Sequence, residues 1–315
     1  VNTKSSVFRV GKAVRYTNKV GVIPKRRLWI PVLSMMVLFA SLGGGAYVNR
    51  YAIMSFIIND TIPRAQAIAP GEDTKPAPNA GDIAKAALQE QDELLATKIS
   101  SKISEFPSKQ EWSVYVYDIN TGRSASINAD KVYPAASLYK LFLLAPLESK
   151  MEFGNWKSRI GSTTVSGCVQ AMLQVSDNQC AQSIASVANW QYVDKSNEQN
   201  GFIKTKVAGR SGQQTTPREV GELLTRLKKG QMLSDSARRL VFDALYNQKY
   251  DKGIPRGCGD CRTANKTGDI NGYVHDAGVV THGPNSYILV AMSKGGSFNQ
   301  IAELTEVVDT QLYMP

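Results

Sequence analysis

Apolar residues along the chain fall into three patterns, and each predicts a different kind of element. The first is unbroken. Leu28 to Val48 runs for 21 residues without a charge, long enough to cross a bilayer core as a helix. The second has helical spacing. Asp82 can cap a helix to about Phe106, with Leu95, Ile99, Ile103 and Phe106 on one face and Pro107 as its stop. Leu138, Leu141, Phe142 and Ala145 recur at i, i+3, i+4 and i+7 and predict a buried helix. The pattern stays mainly helical to about Leu245, and a last amphipathic helix uses Phe298, Ile301, Leu304, Val308 and Leu312. The third pattern is that of strands. Trp112 to Asp118, a turn at Asn120-Thr121-Gly122 and Ser124 to Asn128 read as a hairpin. Arg262 to Gly268, His275 to Thr281 and Ser286 to Ser293 follow late in the chain, the last two joined across Gly283-Pro284-Asn285. Strands from both ends therefore flank a helical middle. The economical architecture is α+β: an antiparallel five-stranded sheet covered by terminal helices, with an inserted all-helical subdomain. A ligand pocket is expected where sheet and subdomain meet.

Charge changes the picture only at the start. The chain carries a formal +10, but residues 1–27 hold eight basic residues and no acidic one. Without them the balance is 29 to 27, so the body is nearly neutral and no nucleic-acid partner is expected. The basic tail before an uncharged run predicts a transmembrane signal anchor at 28–48, with 1–27 in the cytoplasm. A cleaved signal peptide fits less well, because the run is long and Ala65-Gln66-Ala67 lies far downstream. Pro63, Pro70, Pro76 and Pro78 make 49–82 an extended linker, leaving 83–315 as an extracytoplasmic folded domain of a single-pass membrane protein.

The candidate chemistry begins at Ser137-x-x-Lys140. On a helix, residues three apart share a face, which brings an ammonium beside a hydroxyl. Serine needs such a neighbour, since its hydroxyl is a weak nucleophile until a base takes its proton. The first turn also offers free N–H groups to developing negative charge. Two more motifs follow in order: Ser176-Asp177-Asn178 and Lys266-Thr267-Gly268. Ser-x-x-Lys, Ser-Asp-Asn and Lys-Thr-Gly together are the signature of class A β-lactamases and penicillin-binding proteins.

On these residues, and on Tyr133-Pro134-Ala135-Ala136, Thr215-Thr216-Pro217 and Asp269-Ile270-Asn271-Gly272-Tyr273, residues 83–315 resemble that superfamily. The resemblance implies a β-lactamase/transpeptidase-like fold and a serine acyl-enzyme with no cofactor. It implies Ser137 as nucleophile, Lys140 as base or proton relay and Ser176 as proton shuttle to the leaving nitrogen. Asn178 would bind the substrate's side-chain amide, and Lys266, Thr267 and Gly268 its carboxylate region. The backbone N–H groups of Ser137 and Asp269 would form the oxyanion hole. The substrate would be a β-lactam or a peptidoglycan peptide. One family element is absent. No Glu-x-x-Leu-Asn segment lies between Asn178 and Pro217, and Glu198 is the only glutamate in the interval. Slow deacylation is therefore expected, with Glu198 a solvated side chain.

Four cysteines outside the cytoplasm suggest two disulfides, and Cys168 with Cys180 and Cys258 with Cys261 are the local pairs. A redox role for Cys258-Gly-Asp-Cys261 would usually need a helix start, and this motif precedes a strand. Cys258-x2-Cys261-x13-His275-x6-His282 approaches zinc-finger spacing, but a Lys-Thr-Gly strand and a hairpin intervene, so no metal is expected. Those two histidines also lack the context of a Ser-His-Asp triad. Three readings stand: a β-lactamase-like hydrolase, a D-Ala-D-Ala carboxypeptidase or transpeptidase, and a non-catalytic wall-peptide binding module. Lys140 and Ser176 together argue against the last.

Overall fold

The computed structural model describes residues 79–208 and 212–313. The basic tail, the 28–48 span and nearly all of the 49–82 linker lie outside the described residues. Among the described residues no helix is long and apolar enough to cross a membrane.

Helix α1 (Ala80–Ser104) starts earlier than expected, because Asn79 and not Asp82 caps it: Asn79 Oδ1 accepts from the Asp82 N–H at 3.0 Å. Leu95 and Ile99 are fully buried. Together they contribute on the order of 3–6 kcal/mol to holding this helix on the sheet. Strands β1 (Glu111–Asp118) and β2 (Ser124–Ile127) form the expected hairpin, and β3 (Tyr133–Pro134) is a short edge piece.

The segment Ala136–Leu143 is a 3₁₀ helix rather than the expected opening of an α-helix, which begins only at α2 (Leu144–Lys150). Pro146 accounts for the break. It has no N–H for the carbonyl of Phe142, four residues back, so one α-helix cannot run through both. The helical middle then holds β4 (Arg159–Ile160) paired with β5 (Thr163–Thr164), α3 (Val165–Gln174), α4 (Asn178–Ala188) and α5 (Trp190–Gln199). Strand β6 (Gln214–Thr215) pairs with β3, and α6 (Pro217–Lys228) and α7 (Asp235–Tyr246) follow. A short α8 (Ile254–Gly257) leads into β7 (Arg262–Ile270), β8 (Tyr273–His282) and β9 (Asn285–Lys294), and α9 (Phe298–Tyr313) closes the described chain.

The sheet has the order β2-β1-β9-β8-β7, antiparallel throughout. Strand β9 lies at its centre, which explains its unbroken apolar sequence. Ile288, Val290 and Met292 face the helical subdomain with Leu138, Phe142 and Met172. The alternate residues Tyr287, Leu289 and Ala291 face the terminal helices with Leu95, Ile301 and Val308. Both faces of the strand are thus core, and the period of two sorts its side chains between them. The chain has the β-lactamase/transpeptidase-like α+β fold. The seam between sheet and helical subdomain is where Ser137, Ser176 and Lys266 converge.

Candidate active site

Three backbone devices bring the motifs together. Ala136 adopts φ +45°, turning the chain sharply into the 3₁₀ helix that carries Ser137. In that helix residues i and i+3 eclipse, so Lys140 stands behind Ser137 with Nζ 3.2 Å from Oγ. Gly268 of β7 then presses against the same turn. A Cβ added there would lie 2.9 Å from the Ser137 nitrogen and 3.0 Å from the Ala136 Cβ. Only glycine permits this approach, which sets the start of the 3₁₀ helix beside Asp269.

Between α3 and α4, Ser176 adopts φ +59°. A non-glycine residue there costs of order 1–3 kcal/mol and persists only where its surroundings hold it. Asp177 caps α4, its Oδ1 accepting from the Cys180 N–H at 2.7 Å. Cys180 is joined to Cys168 of α3, which ties the first turn of α4 to the preceding helix. Lys140 Nζ donates to the Ser176 carbonyl at 2.5 Å, to Ser176 Oγ at 3.1 Å and to Asn178 Oδ1 at 2.7 Å. Lys266 Nζ reaches the same Ser176 Oγ at 3.1 Å and the Thr267 carbonyl at 2.8 Å. A hydroxyl has two lone pairs and one donor. With both lone pairs accepting from lysines, the Ser176 O–H is left to donate to something else.

Both ammonium groups are buried, and desolvation dominates their chemistry. Burial brings Lys140 down to about 8 against the opposing pull of Asp177. Burial, with the Lys140 charge second, brings Lys266 down to about 7. Behind them Asp276 is raised to about 6 by burial, although the Asn265 side chain and the Ile254 N–H bond its carboxyl. Lysines that share one acceptor titrate as a pair, and the pair releases its first proton near neutrality. A substrate carboxylate beside Lys266 would hold the charge there, so Lys140 would be the group to lose it. A lysine base works only when neutral, above its lowered value. We therefore expect the second-order rate of penicillin acylation to rise about tenfold per pH unit below pH 7, to peak between about pH 7 and 8, and to fall above that as the pair loses its second proton and with it the Lys266 charge. Stopped-flow acylation rates from pH 5.5 to 9 measure this, and a profile flat or falling across pH 6–7 contradicts it.

The cavity in front of Ser137 holds about 600 Å³ and is walled by Ser137, Asn178, Asp269, Tyr139 and Tyr273, among others. Lys140, Lys266 and Thr267 are buried behind this wall, and Ser176 is half-buried beside them. With Asn178 Oδ1 taken by Lys140, its Nδ2 is the end left for a ligand. Val132 and Ile270 expose apolar surface at the rim, while Gln182 and Gln214 supply amides. Among the described residues of the wall, Asp269 is the only carboxylate. Glu198 lies elsewhere, on the last turn of α5, 62% exposed and 3.8 Å from Lys206. His275 is a structural residue of β8, fully buried, with Nε2 donating to the Pro134 carbonyl at 2.9 Å. Cys258 and Cys261 are joined to each other near the start of β7. Sequence reasoning missed Tyr139, Gln182 and Gln214. Tyr139 falls between the apolar positions of its helix, and the β3–β6 pair that places Gln214 is two residues long.

Comparison with known proteins identifies the family and the fold. Residues 94–160 and 153–310 match the model of a β-lactamase enzyme family. No curated protein sequence matches the chain. Among solved structures, a mutant of PBP-A in acyl-enzyme complex with penicillin G is 21% identical, with TM-score 0.60 over 69% of this chain and 95% of that one. An ancestral class A β-lactamase is 21% identical, with TM-score 0.62 over 68% and 98%. A β-lactamase from Desulfarculus baarsii is 18% identical, with TM-score 0.62 over 70% and 98%.

Proposed function

The chain belongs to the β-lactamase enzyme family, and we propose that it is a serine hydrolase acylated on Ser137 by β-lactams or by peptides ending in D-Ala-D-Ala. The observation that carries this reading is one ammonium nitrogen, Lys140 Nζ, within hydrogen-bond reach of both Ser137 Oγ and Ser176 Oγ. Neutral Lys140 takes the proton as Ser137 Oγ attacks the carbonyl carbon. The carbonyl oxygen becomes an oxyanion facing the N–H groups of Ser137 and Asp269. When the intermediate collapses, the C–N bond breaks and the Ser176 O–H gives its proton to the leaving nitrogen. The proton on Lys140 passes back to Ser176, which leaves the ester and a neutral base. Lys266 and the Thr267 hydroxyl attract the substrate carboxylate, and Asn178 Nδ2 donates to its acyl amide.

Release of the acyl group needs a base beside the ester, and such a group contributes about 10²–10⁴-fold. Asp269 serves the oxyanion corner through its backbone N–H while its side chain is exposed to solvent, and Glu198 is off the wall. A slowly cleared acyl-enzyme follows. Mixing the full chain with a chromogenic penicillin should give a burst of one equivalent and then a steady rate at least about a hundredfold slower. Glu198→Gln should leave both phases unchanged. Burst-free turnover that is lost in Glu198→Gln would make Glu198 the base and the chain an efficient β-lactamase. A D-Ala-D-Ala carboxypeptidase or transpeptidase is the second reading, and the missing base favours the transpeptidase, because an acyl-enzyme that water attacks slowly can pass its acyl group to an amine.

The charge pattern of 1–48 supports a single-pass anchor with the catalytic domain outside the cytoplasm. Protease added to intact spheroplasts should then digest residues 80–313 and spare the basic tail. Protection of the domain would reverse this orientation.

A further inference from the structure

The zinc-finger spacing fails in the fold because His275 is committed to the Pro134 carbonyl. The other three residues nevertheless meet. Cys258 follows α8, Cys261 immediately precedes β7, and His282 ends β8. The β7–β8 ladder pairs Arg262 with Thr281, so one step further out Cys261 faces His282. One ligand atom from each of Cys258, Cys261 and His282 lies within 4.8 Å of the others. Nitrogen and sulfur donors of this kind suit zinc.

A second observation comes from α9. Asp309 is fully buried, and its Oδ1 accepts from His282 Nε2 at 2.7 Å and from the Tyr287 hydroxyl at 2.9 Å. Its Oδ2 is also buried and has no partner among the described residues. With Nε2 bonded to Asp309, Nδ1 is the nitrogen of His282 left for a metal. A carboxylate that fixes and polarises the imidazole from behind is the usual outer partner of a metal-bound histidine. Tyr287 and Tyr313 flank the ring, with centroids 6.5 and 5.2 Å away, and hold its orientation. Cys258 is buried, whereas Cys261 and His282 are half-exposed, so a cation can reach them from solvent.

We propose that Cys258, Cys261 and His282, with Asp309 behind the imidazole, form a site for a thiophilic divalent cation such as Zn²⁺ that opens when the Cys258–Cys261 bond is reduced. The reductant is a dithiol. It leaves as a disulfide, and its two electrons and two protons convert the bond into two thiols. Those thiols release the two protons as the cation binds.

The test uses the full chain, reduced with a phosphine, desalted without oxygen and titrated with Co²⁺. One equivalent should produce a thiolate-to-cobalt charge-transfer band that Zn²⁺ abolishes, and the unreduced chain should show none. The Cys258→Ser/Cys261→Ser variant keeps the other cysteine pair and should give no band. His282→Ala should weaken binding at least about tenfold and Asp309→Asn by about 10–100-fold. If reduction costs the chain its helical signal, Zn²⁺ should restore that signal in the wild type and not in His282→Ala. Absence of the band in a folded reduced chain overturns the site, as does failure of Zn²⁺ to restore an unfolded one. So does a band in the double cysteine variant, or unchanged affinity in His282→Ala.

Discussion

A full chain carrying Ser137→Ala should form no covalent penicillin adduct, with a loss of at least about 10⁴-fold in acylation rate, or over 5 kcal/mol of transition-state stabilisation. Among the described residues, the substitution removes the only hydroxyl that both lines the cavity wall and meets a lysine nitrogen. Ser176 also touches two lysines, but it is set back from the wall and cannot take over the attack. Folding should hardly change. Ser137 Oγ makes one hydrogen bond, worth about 1 kcal/mol, and its Cβ stays in place. Intact-protein mass spectrometry reads the adduct, and a melting curve shows the fold is kept. An adduct that persists in Ser137→Ala would move the nucleophile elsewhere.

Lys140→Arg should lose about 10²–10⁴-fold in acylation, because a guanidinium stays protonated at neutral pH and cannot act as a base. Lys266→Arg keeps the positive charge that attracts a carboxylate, so its loss should stay within about tenfold. The two nitrogens lie the same distance, 3.1 Å, from Ser176 Oγ, so proximity does not separate them. Their other partners do. Lys140 also contacts the nucleophile, whereas Lys266 contacts the Thr267 carbonyl. Acylation rates of the two variants at pH 7.5 measure this difference, and equal losses would remove the division of roles.

The sheet was legible wherever a strand's sequence matched its surroundings. The fully apolar Ile288 to Met292 run, read from the sequence as part of a strand, proved to be the central strand, buried on both faces. Strand ends were less clear. Strand β7 runs on to Ile270 because Asn271-Gly272 closes the hairpin with φ +48° and +80°. That dipeptide is a strong hairpin signal, overshadowed here by the Lys-Thr-Gly motif beside it. The 3₁₀ helix at Ser137 was hidden for another reason: an i, i+3 spacing suits both helix types, and only Pro146 marks the break. The motifs revealed which residues meet, but not how. The left-handed Ser176 and the close approach of Gly268 depend on tertiary contacts that spacing does not encode. The Asp309–His282 pair joins a strand end to the last helix, 27 residues apart, with no local signal at all.

The most direct test of the account is to quench the wild-type chain seconds after mixing with penicillin and to map the modified peptide. The account predicts one penicilloyl group per chain, on the peptide that contains Ser137, still present after many minutes. An adduct on another residue, or hydrolysed penicillin with no adduct at any time, would contradict it.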